Sequence, residues 1–191
     1  MQISTGPDGL RRCGWCTSTA VYMAYHDDEW GRPLHDDGQL FEHLALEVFQ
    51  AGLSWSTILH KRDTFRACFD GFDPQVIAGY DDEDVSRLLA TDGIVRNRAK
   101  IEATISNARL VCDLPQSLDA LLWSYQPTGG RRRRPRSTSE VPARTAESTA
   151  MAKDLKRRGF RFIGPVGAYA FMQAVGMVDD HLLGCHRAAR E

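Results

Sequence analysis

The sequence of 191 residues contains no apolar run that approaches the ~18 residues needed for a membrane-spanning helix. Residues 1–12 carry Asp8, Arg11 and Arg12 and lack the apolar core of a secretory signal. The five cysteines are an odd number, and a chain of this length can bury a true core without a disulfide framework. We therefore expect a soluble, cytoplasmic protein whose cysteines are free or bind metal.

A large net charge is also lacking, because 24 basic and 25 acidic residues leave a formal charge of −1. This value argues neither for nor against a nucleic-acid partner, but the charges are unevenly distributed. Basic residues cluster in 96–100, 131–136 and 153–161, and acidic residues in 27–37 and 70–84. Such segregation is typical of a protein that contacts a polyanion with one face.

Strand-like alternation is limited to the short stretch 160–163, whereas apolar residues recur at helical spacing nearly everywhere. Asp36 and Gln39 have the spacing of a helix start, and Gly52 follows as a stop. Pro74 is placed to begin another helix, and Gly159 to end one. The sequence therefore predicts an all-α fold, without an internal repeat.

We expect the whole chain, 1–191, to form a single unit. Its helical core spans about 36–125, and the terminal segments 12–35 and 150–186 flank it. Residues 126–149 are rich in Pro, Gly, Ser, Thr and Arg, so we expect a flexible, Arg-rich linker there. Within this linker the run from Arg131 to Arg136 is interpreted as a solvated loop, with extra contact to a nucleic-acid backbone as the alternative.

Residues 88–105 read LLATDGIVRNRAKIEATI, which predicts a helix–hairpin–helix at about 84–108. Gly93 permits a backbone shape that side chains would obstruct, and amides at the start of the second helix can bind a phosphate. Three cations at this turn would add charge to that contact: Arg96, Arg98 and Lys100. The alternative is an ordinary helical hairpin with a solvated basic turn.

Thiols and imidazoles lie near both ends of the chain. They are Cys13, Cys16, His26 and His35 near the start, and His181, Cys185 and His186 near the end. His181 and Cys185 are four residues apart, so on a helix they would face the same way. Two ligands from each end would make a tetrahedral site that suits zinc and fastens the termini together. The alternative is a set of buried free cysteines and surface histidines.

The pair Cys13 and Cys16 also has the spacing of a dithiol redox motif. Such motifs open a helix after a strand of an α/β fold. Because nothing else in the sequence indicates that sheet, a thiol oxidoreductase is disfavoured.

Glu47 falls in an otherwise apolar helix stripe formed by Leu40, Leu44 and Ala51. A carboxylate in this position is costly unless it is paired. It either forms a structural ion pair, for example with an arginine, or awaits a cationic ligand.

An aromatic set completes the candidate residues: Trp15, Tyr22, Tyr25, Trp30 and Trp55. Aromatic residues usually belong to the core, but Tyr25 and Trp55 flank short polar runs. Aromatic rings can hold an extruded base by stacking, and cation–π attraction would favour a positively charged base.

Several segments together resemble the DNA-3-methyladenine glycosylase I family. They are RCGW at 12–15, AYHDDEWG at 24–31, LEVFQAGLSW at 46–55, TDGIVRNRAKI at 91–101, and KRRGFRFIGP through FMQAVGMVDDHLLGC at 156–185. The resemblance covers about 12–185 except the Arg-rich linker, and both order and spacing agree. It implies a helix–hairpin–helix DNA glycosylase fold with a zinc site that tethers the two termini.

Residue roles follow from this resemblance by position. It implies that one structural zinc is held by Cys13, His26, His181 and Cys185, with Cys16 as a bystander. It implies that Glu47 is the acid of the base pocket, that Tyr25 and Trp55 are pocket aromatics, and that Trp15 and Tyr22 complete the wall. The chain departs from the pattern at Val48 and Phe49, where some members carry Gly and Gln, and at Asp179, where many carry Asn. Residues 131–136 have no clear family counterpart.

The resemblance also implies an activity: hydrolytic excision of 3-methyladenine from double-stranded DNA by one chain acting alone, without an organic cofactor. Lys100 lies in the presumed phosphate-binding helix, and Lys61 has no recognisable activating context. We therefore expect a monofunctional enzyme that leaves an abasic site and has no lyase activity. The rival interpretation is a non-catalytic, zinc-containing helix–hairpin–helix protein that binds DNA.

Overall fold

The computed structural model describes residues 2–129 and 133–188, and it begins with a short antiparallel hairpin. Strand β1 (Ile3–Thr5) pairs with β2 (Arg11–Cys13), and Ile3 lies opposite Cys13. This pair departs from the all-helical prediction, because strands of three residues are too short to show alternation. The hairpin places Cys13 directly before a 3₁₀ turn at Gly14–Cys16.

Helices make up most of the remaining described chain, as the sequence predicts. They are α1 (Ala20–Asp28), α2 (Asp37–Gln50), α3 (Trp55–Cys68), α4 (Pro74–Ala78), α5 (Asp82–Ala90), α6 (Arg98–Cys112), α7 (Leu118–Trp123), α8 (Ala146–Arg157) and α9 (Pro165–Ala174). The predicted start of α2 is confirmed, since the Asp36 side chain accepts a hydrogen bond from the Gln39 amide at 2.9 Å. None of these helices, within the described ranges, has the length and apolarity needed to cross a bilayer.

Helix α2 lies at the centre of the fold and packs against α3, α6, α7 and α9. Its buried side chains include Leu40, Phe41 and Leu44. Near its end the Phe49 ring packs at 4.6 Å from the Phe65 ring of α3. Because neighbours surround α2, a polar side chain on its inner face is enclosed by protein.

Two pairs of helices are joined by tight connections. Helices α5 and α6 flank the turn at 91–97, in agreement with the helices predicted at about 84–108. Gly93 in this turn has a φ of +92°, and an added Cβ would lie 2.9 Å from Thr64 Cγ2, so only glycine fits. Helices α8 and α9 pack closely and are joined through 158–164.

The Arg-rich segment differs from its predicted solvated state at Arg134. The Arg134 side chain is only 9% exposed, and its guanidinium pairs with Asp179 through contacts of 2.6 and 3.1 Å. A 3₁₀ turn follows at Thr138–Glu140. Residues 130–132, which include two of the predicted solvated arginines, lie outside the described residues, and the mobility of 126–149 remains a prediction.

Candidate functional site

A pocket of about 270 Å³ lies where α1, α2, α3 and α9 meet the segments 138–141 and 180–182. Its lining residues are Trp15, Tyr22, Tyr25, Trp30, Glu47, Gln50, Trp55, Thr138, Val141, Ala170, Gln173, Asp180 and Leu182. The pocket therefore brings together Glu47 and all five aromatic residues singled out from the sequence. Its volume lies near the lower end of the ligand-pocket range, about 300–1,000 Å³, so it suits a small group.

Glu47 projects from α2 into this pocket. Among the residues that the structure describes, none forms a hydrogen bond or an ion pair with its carboxyl group. Glu42 on the same helix behaves differently, because it pairs with Arg66 at 2.9 Å. Burial raises the pKa of Glu47 to about 8, since the pocket disfavours the charged carboxylate. The structural ion pair considered from the sequence is therefore absent at Glu47.

The first turn of α9 lies close to Glu47. A Cβ added at Gly167 would lie 4.0 Å from Glu47 Oε2, so this glycine leaves room beside the carboxyl group. Side chains longer than alanine would enter the space next to Glu47.

The aromatic side chains contact one another around the pocket. The Tyr25 and Trp55 rings lie 5.3 Å apart, and Trp15 lies 5.1 Å from Tyr22 and 5.0 Å from Trp30. Burial, with a further contribution from the charge of Glu47, holds the pKa of Tyr25 well above its usual value. Tyr25 therefore remains a neutral hydrogen-bond donor beside the carboxyl group.

Two buried polar atoms of pocket residues lack hydrogen-bond partners within the described chain: Gln50 Oε1 and Trp55 Nε1. Buried polar atoms without partners are rare in folded proteins, and both of these belong to residues that line the pocket. Gln50 is not among the site residues predicted from the sequence. The available signal was its position three residues after Glu47, which places both on one helix face.

Cys13, His26, His181 and Cys185 converge in a second, buried cluster. His26 Nε2 lies 3.2 Å from His181 Nδ1 and 3.4 Å from Cys185 Sγ. Ligands on a tetrahedral zinc ion would lie about 3.3–3.8 Å apart, so these donor atoms fit such a site. Cys16 stands outside the group, and its Sγ instead contacts the Cys13 carbonyl oxygen. The four predicted ligands are thus brought together and could hold a metal ion.

His181 and Cys185 reach the cluster from a loop and not from the helix that their spacing suggested. Helix α9 ends at Ala174, and both residues lie in the irregular segment that follows. The Cys13 sulfur accepts a hydrogen bond from the Leu182 amide at 3.3 Å. This bond ties the N-terminal hairpin to the C-terminal loop directly.

Asp27 orients His26 in the cluster. Its carboxylate lies 2.8 Å from His26 Nδ1, which leaves Nε2 directed at the other three ligands. Asp27 also accepts hydrogen bonds from Arg12 at 2.6 Å and contacts His186 Nε2 at 2.9 Å. His186 therefore supports the cluster through Asp27.

The cluster of Cys13, His26, His181 and Cys185 also supports the pocket wall. The His181 ring lies 4.7 Å from the Trp30 ring, and the His26 ring lies 5.3 Å from the Trp15 ring. Both tryptophans line the pocket. The pocket and the cluster are therefore in contact through these two tryptophans.

The residues predicted to contact a DNA backbone fall into two groups. Gly93, Arg96 and Arg98 are exposed near the turn between α5 and α6. Lys100 does not match the prediction: it is 7% exposed, and its ammonium donates to the backbone oxygens of Phe49 and Ala51 at 2.9 and 2.6 Å. Lys100 thus stabilises the end of α2 and does not present its charge to solvent.

A further basic surface lies in the groove between α8 and α9. Lys153, Lys156 and Arg161 line this groove and are exposed. Within the described ranges, no carboxylate forms an ion pair with any of the three. Their charge is therefore available to an anionic partner.

Comparisons with known proteins agree with this arrangement. A family model described as methyladenine glycosylase matches residues 15–188. The chain is 45% identical over 179 residues to DNA-3-methyladenine glycosylase 1 of Escherichia coli K12, which covers 92% of this chain and 96% of that protein. A crystal structure of 3-methyladenine DNA glycosylase I superposes with a TM-score of 0.88 at 46% identity, over 92% of this chain and 98% of that one. A variant of 3-methyladenine DNA glycosylase I in complex with 3-methyladenine superposes with a TM-score of 0.87 at 36% identity, over 94% and 98%.

Proposed function

The chain belongs to the methyladenine glycosylase family, a family of hydrolases acting on N-glycosyl bonds, and on that premise we propose that it excises 3-methyladenine from alkylated DNA. The observation that carries this proposal is an unpaired carboxyl group in an aromatic pocket of the right size for one base. The relative solved with 3-methyladenine covers almost the whole chain, which supports the same ligand.

The chemistry of the substrate explains why such a pocket suffices. Methylation at N3 makes the base cationic while it is still attached to the sugar. When the bond between C1′ and N9 breaks, its electron pair goes to the base, which leaves neutral. Water then adds to C1′ and loses a proton. The protein must therefore extrude the nucleotide, hold the base and support an electron-poor sugar while water attacks.

Glu47 and the aromatic rings would select the charged base. The carboxylate provides a counter-charge in a water-poor pocket, and the ring faces add cation–π attraction. Normal adenine is uncharged and gains neither contribution. We assign Glu47 to recognition and orientation of the base more than to activation of water.

The proposed enzyme is monofunctional, and the surroundings of its lysines support this. No lysine lines the pocket among the residues that the structure describes. Lys100 is held by two carbonyl oxygens, and Lys61 donates to the Gly93 carbonyl oxygen at 3.2 Å. Without an amine at the sugar, the product is an abasic site with an intact backbone.

We further propose that the Cys13, His26, His181 and Cys185 cluster holds one structural zinc ion. Two sulfur and two nitrogen donors within 4.8 Å of one another, all buried, are the support for this assignment. Zinc would supply a cross-link between the two ends of the chain, without a role at the scissile bond.

DNA is proposed to lie across exposed cations on two surfaces of the protein. Arg96 and Arg98 are placed near the α5–α6 turn, and Lys153, Lys156 and Arg161 in the α8–α9 groove. Backbone contact by such cations positions a duplex without reading its sequence. A duplex substrate, a single acting chain and a cytoplasmic location remain predictions.

The test is Glu47→Gln, with Glu42→Gln as its matched control on the same helix. We expect Glu47→Gln to fold and keep its metal, but to release at least about a hundredfold less 3-methyladenine from methylated DNA, because the counter-charge is lost. Glu42→Gln should retain release, because its partner Arg66 lies outside the pocket lining. Chromatography of the freed bases measures both.

Equal release by Glu47→Gln and the unmodified protein would remove Glu47 from this role. If the unmodified protein bound methylated DNA without releasing any base, the non-catalytic alternative would replace the proposed enzyme.

A further inference from the structure

Two segments of the pocket wall are joined by one ion pair. The segment 134–141 supplies Thr138 and Val141 to the wall, and the segment 179–183 supplies Asp180 and Leu182. Between them, Arg134 contacts both carboxylate oxygens of Asp179, at 2.6 and 3.1 Å. Two parallel contacts fix the orientation of a guanidinium as well as its distance.

The contacts around this pair extend to the backbone of the C-terminal segment. Arg134 also donates to the His181 carbonyl oxygen at 3.4 Å, and Asp179 accepts from the His181 amide at 3.2 Å. One residue further on, the Pro135 carbonyl oxygen accepts from the Leu183 amide at 2.8 Å. The two segments are thus aligned over several residues that lie next to those lining the pocket.

The Asp179 carboxylate offers Arg134 two charged acceptors, and an asparagine at this position would offer one uncharged acceptor. The bidentate pair therefore depends on an acidic residue at position 179.

We propose that Arg134 is a positioning residue whose pair with Asp179 sets the spacing of the pocket wall formed by Thr138, Val141, Asp180 and Leu182. The inference rests on the proposed function, because the wall is taken to enclose the methylated base. Arg134 does not line the pocket itself, so it acts through the segment that it anchors. Loss of the pair would loosen base binding without removing any group that contacts the base.

The experiment measures affinity for free 3-methyladenine by the fluorescence of the pocket tryptophans. We expect Arg134→Met to bind about tenfold more weakly and Asp179→Asn about threefold, because small displacements at a site have large effects. The double variant should be no weaker than Arg134→Met, since both changes remove one interaction. Metal content should stay equal to that of the unmodified protein in all three.

The matched control is Arg66→Met, which removes a two-oxygen pair with the buried Glu42 outside the pocket. A purely structural role would give Arg134→Met the same signature as this control: a lower melting temperature with unchanged base affinity. That result overturns the inference. The inference is also overturned if Arg134→Met binds the base more weakly and the double variant loses further affinity additively. The loss would then not come from the pair of Arg134 and Asp179.

If Arg134→Met does not fold, Asp179→Asn decides, since it keeps the side-chain shape. Its unchanged affinity would overturn the inference. Failure of the unmodified protein to release 3-methyladenine from methylated DNA would instead defeat the proposed function, so the two failures are distinguishable.

Discussion

An ionised Glu47 is destabilising in the pocket without a ligand, because burial raises its pKa to about 8 from 4.5. The folded protein therefore retains a proton there that the unfolded chain releases above pH 4.5. The stability associated with this proton is complete below pH 4.5 and is lost as the pH rises through about 8. The buried carboxylate has no partner among the described residues, so a cationic base can become its partner.

The first prediction at the residue scale is that Glu47→Gln is more stable than the unmodified protein, increasingly so at higher pH. Between pH 6 and 8 the difference in free energy of unfolding should grow by about 2 kcal/mol, since glutamine does not titrate. Urea unfolding at both pH values measures it. A stability difference that stays constant between the two pH values would contradict the prediction.

At the residue scale the sequence was informative where helical spacing decides the outcome. Glu47 could be singled out because it interrupts an apolar stripe, and its environment follows from that stripe. Lys100 could not be assigned correctly, because its partners are carbonyl oxygens about 50 residues away at the end of α2. The same reason applies to Arg134. A run of arginines predicts side chains exposed to solvent, whereas the partner of Arg134, Asp179, lies far away in the sequence.

At the scale of elements, the two basic surfaces make different contributions that salt can separate. Each cation that pairs with a phosphate contributes about 0.9 to the slope of log affinity against log salt. We predict that Lys153→Gln/Lys156→Gln/Arg161→Gln reduces that slope by about 2–3, and Arg96→Gln/Arg98→Gln by about 2. Titration of a DNA duplex from low to high salt measures both, and each set serves as the control for the other.

If the substitution of one set of cations leaves the salt slope unchanged, that set does not contact the DNA backbone. Affinity for free 3-methyladenine should stay constant in both variants, because none of these five side chains lines the pocket. A loss of base affinity would mean that the substitutions disturb the fold, not only the surface.

Element boundaries were predictable wherever local chemistry fixes them. The side chain of Asp36 accepts a hydrogen bond from an amide in the first turn of α2. Pro74 stands at the first position of α4, where its lack of an amide hydrogen costs nothing. The β1–β2 hairpin carries no comparable local signal, because its strands have three residues each. The 3₁₀ turn at Thr138–Glu140 lies in a stretch whose composition resembles a linker, although its neighbours dock on the C-terminal segment.

At the scale of the whole molecule, the cluster of two cysteines and two histidines joins residues more than 150 positions apart in the chain. We predict that Cys185→Ser lowers bound zinc from about one ion per chain and lowers the melting temperature by several degrees, because binding energy is lost from the folded state alone. Elemental analysis and thermal unfolding measure the two effects. Cys68→Ser is the control, since Cys68 lies outside the cluster.

Full zinc occupancy in Cys185→Ser would show that this cysteine is not a ligand. Equal metal loss in Cys68→Ser would show that metal content follows general stability instead of the four-residue cluster.

The global arrangement was predictable only in outline. The sequence supported an all-α chain with ligands at both ends, and the ends do meet. Spacing alone misplaced His181 and Cys185 on a helix, because a loop can also bring residues i and i+4 together around a shared centre. Which helix packs on which depends on many weak contacts between distant segments, and no short pattern encodes them.

Trp15 and Trp30 touch the proposed base on one side and the imidazoles of the cluster on the other. Thermodynamic reciprocity then requires that, if the bound ion raises the affinity for the base, the bound base raises the affinity for the ion by the same factor. A protein coupled in this way would lose its metal ion least readily while a base is bound in the pocket. A shortage of metal would therefore first affect the molecules that have no lesion bound.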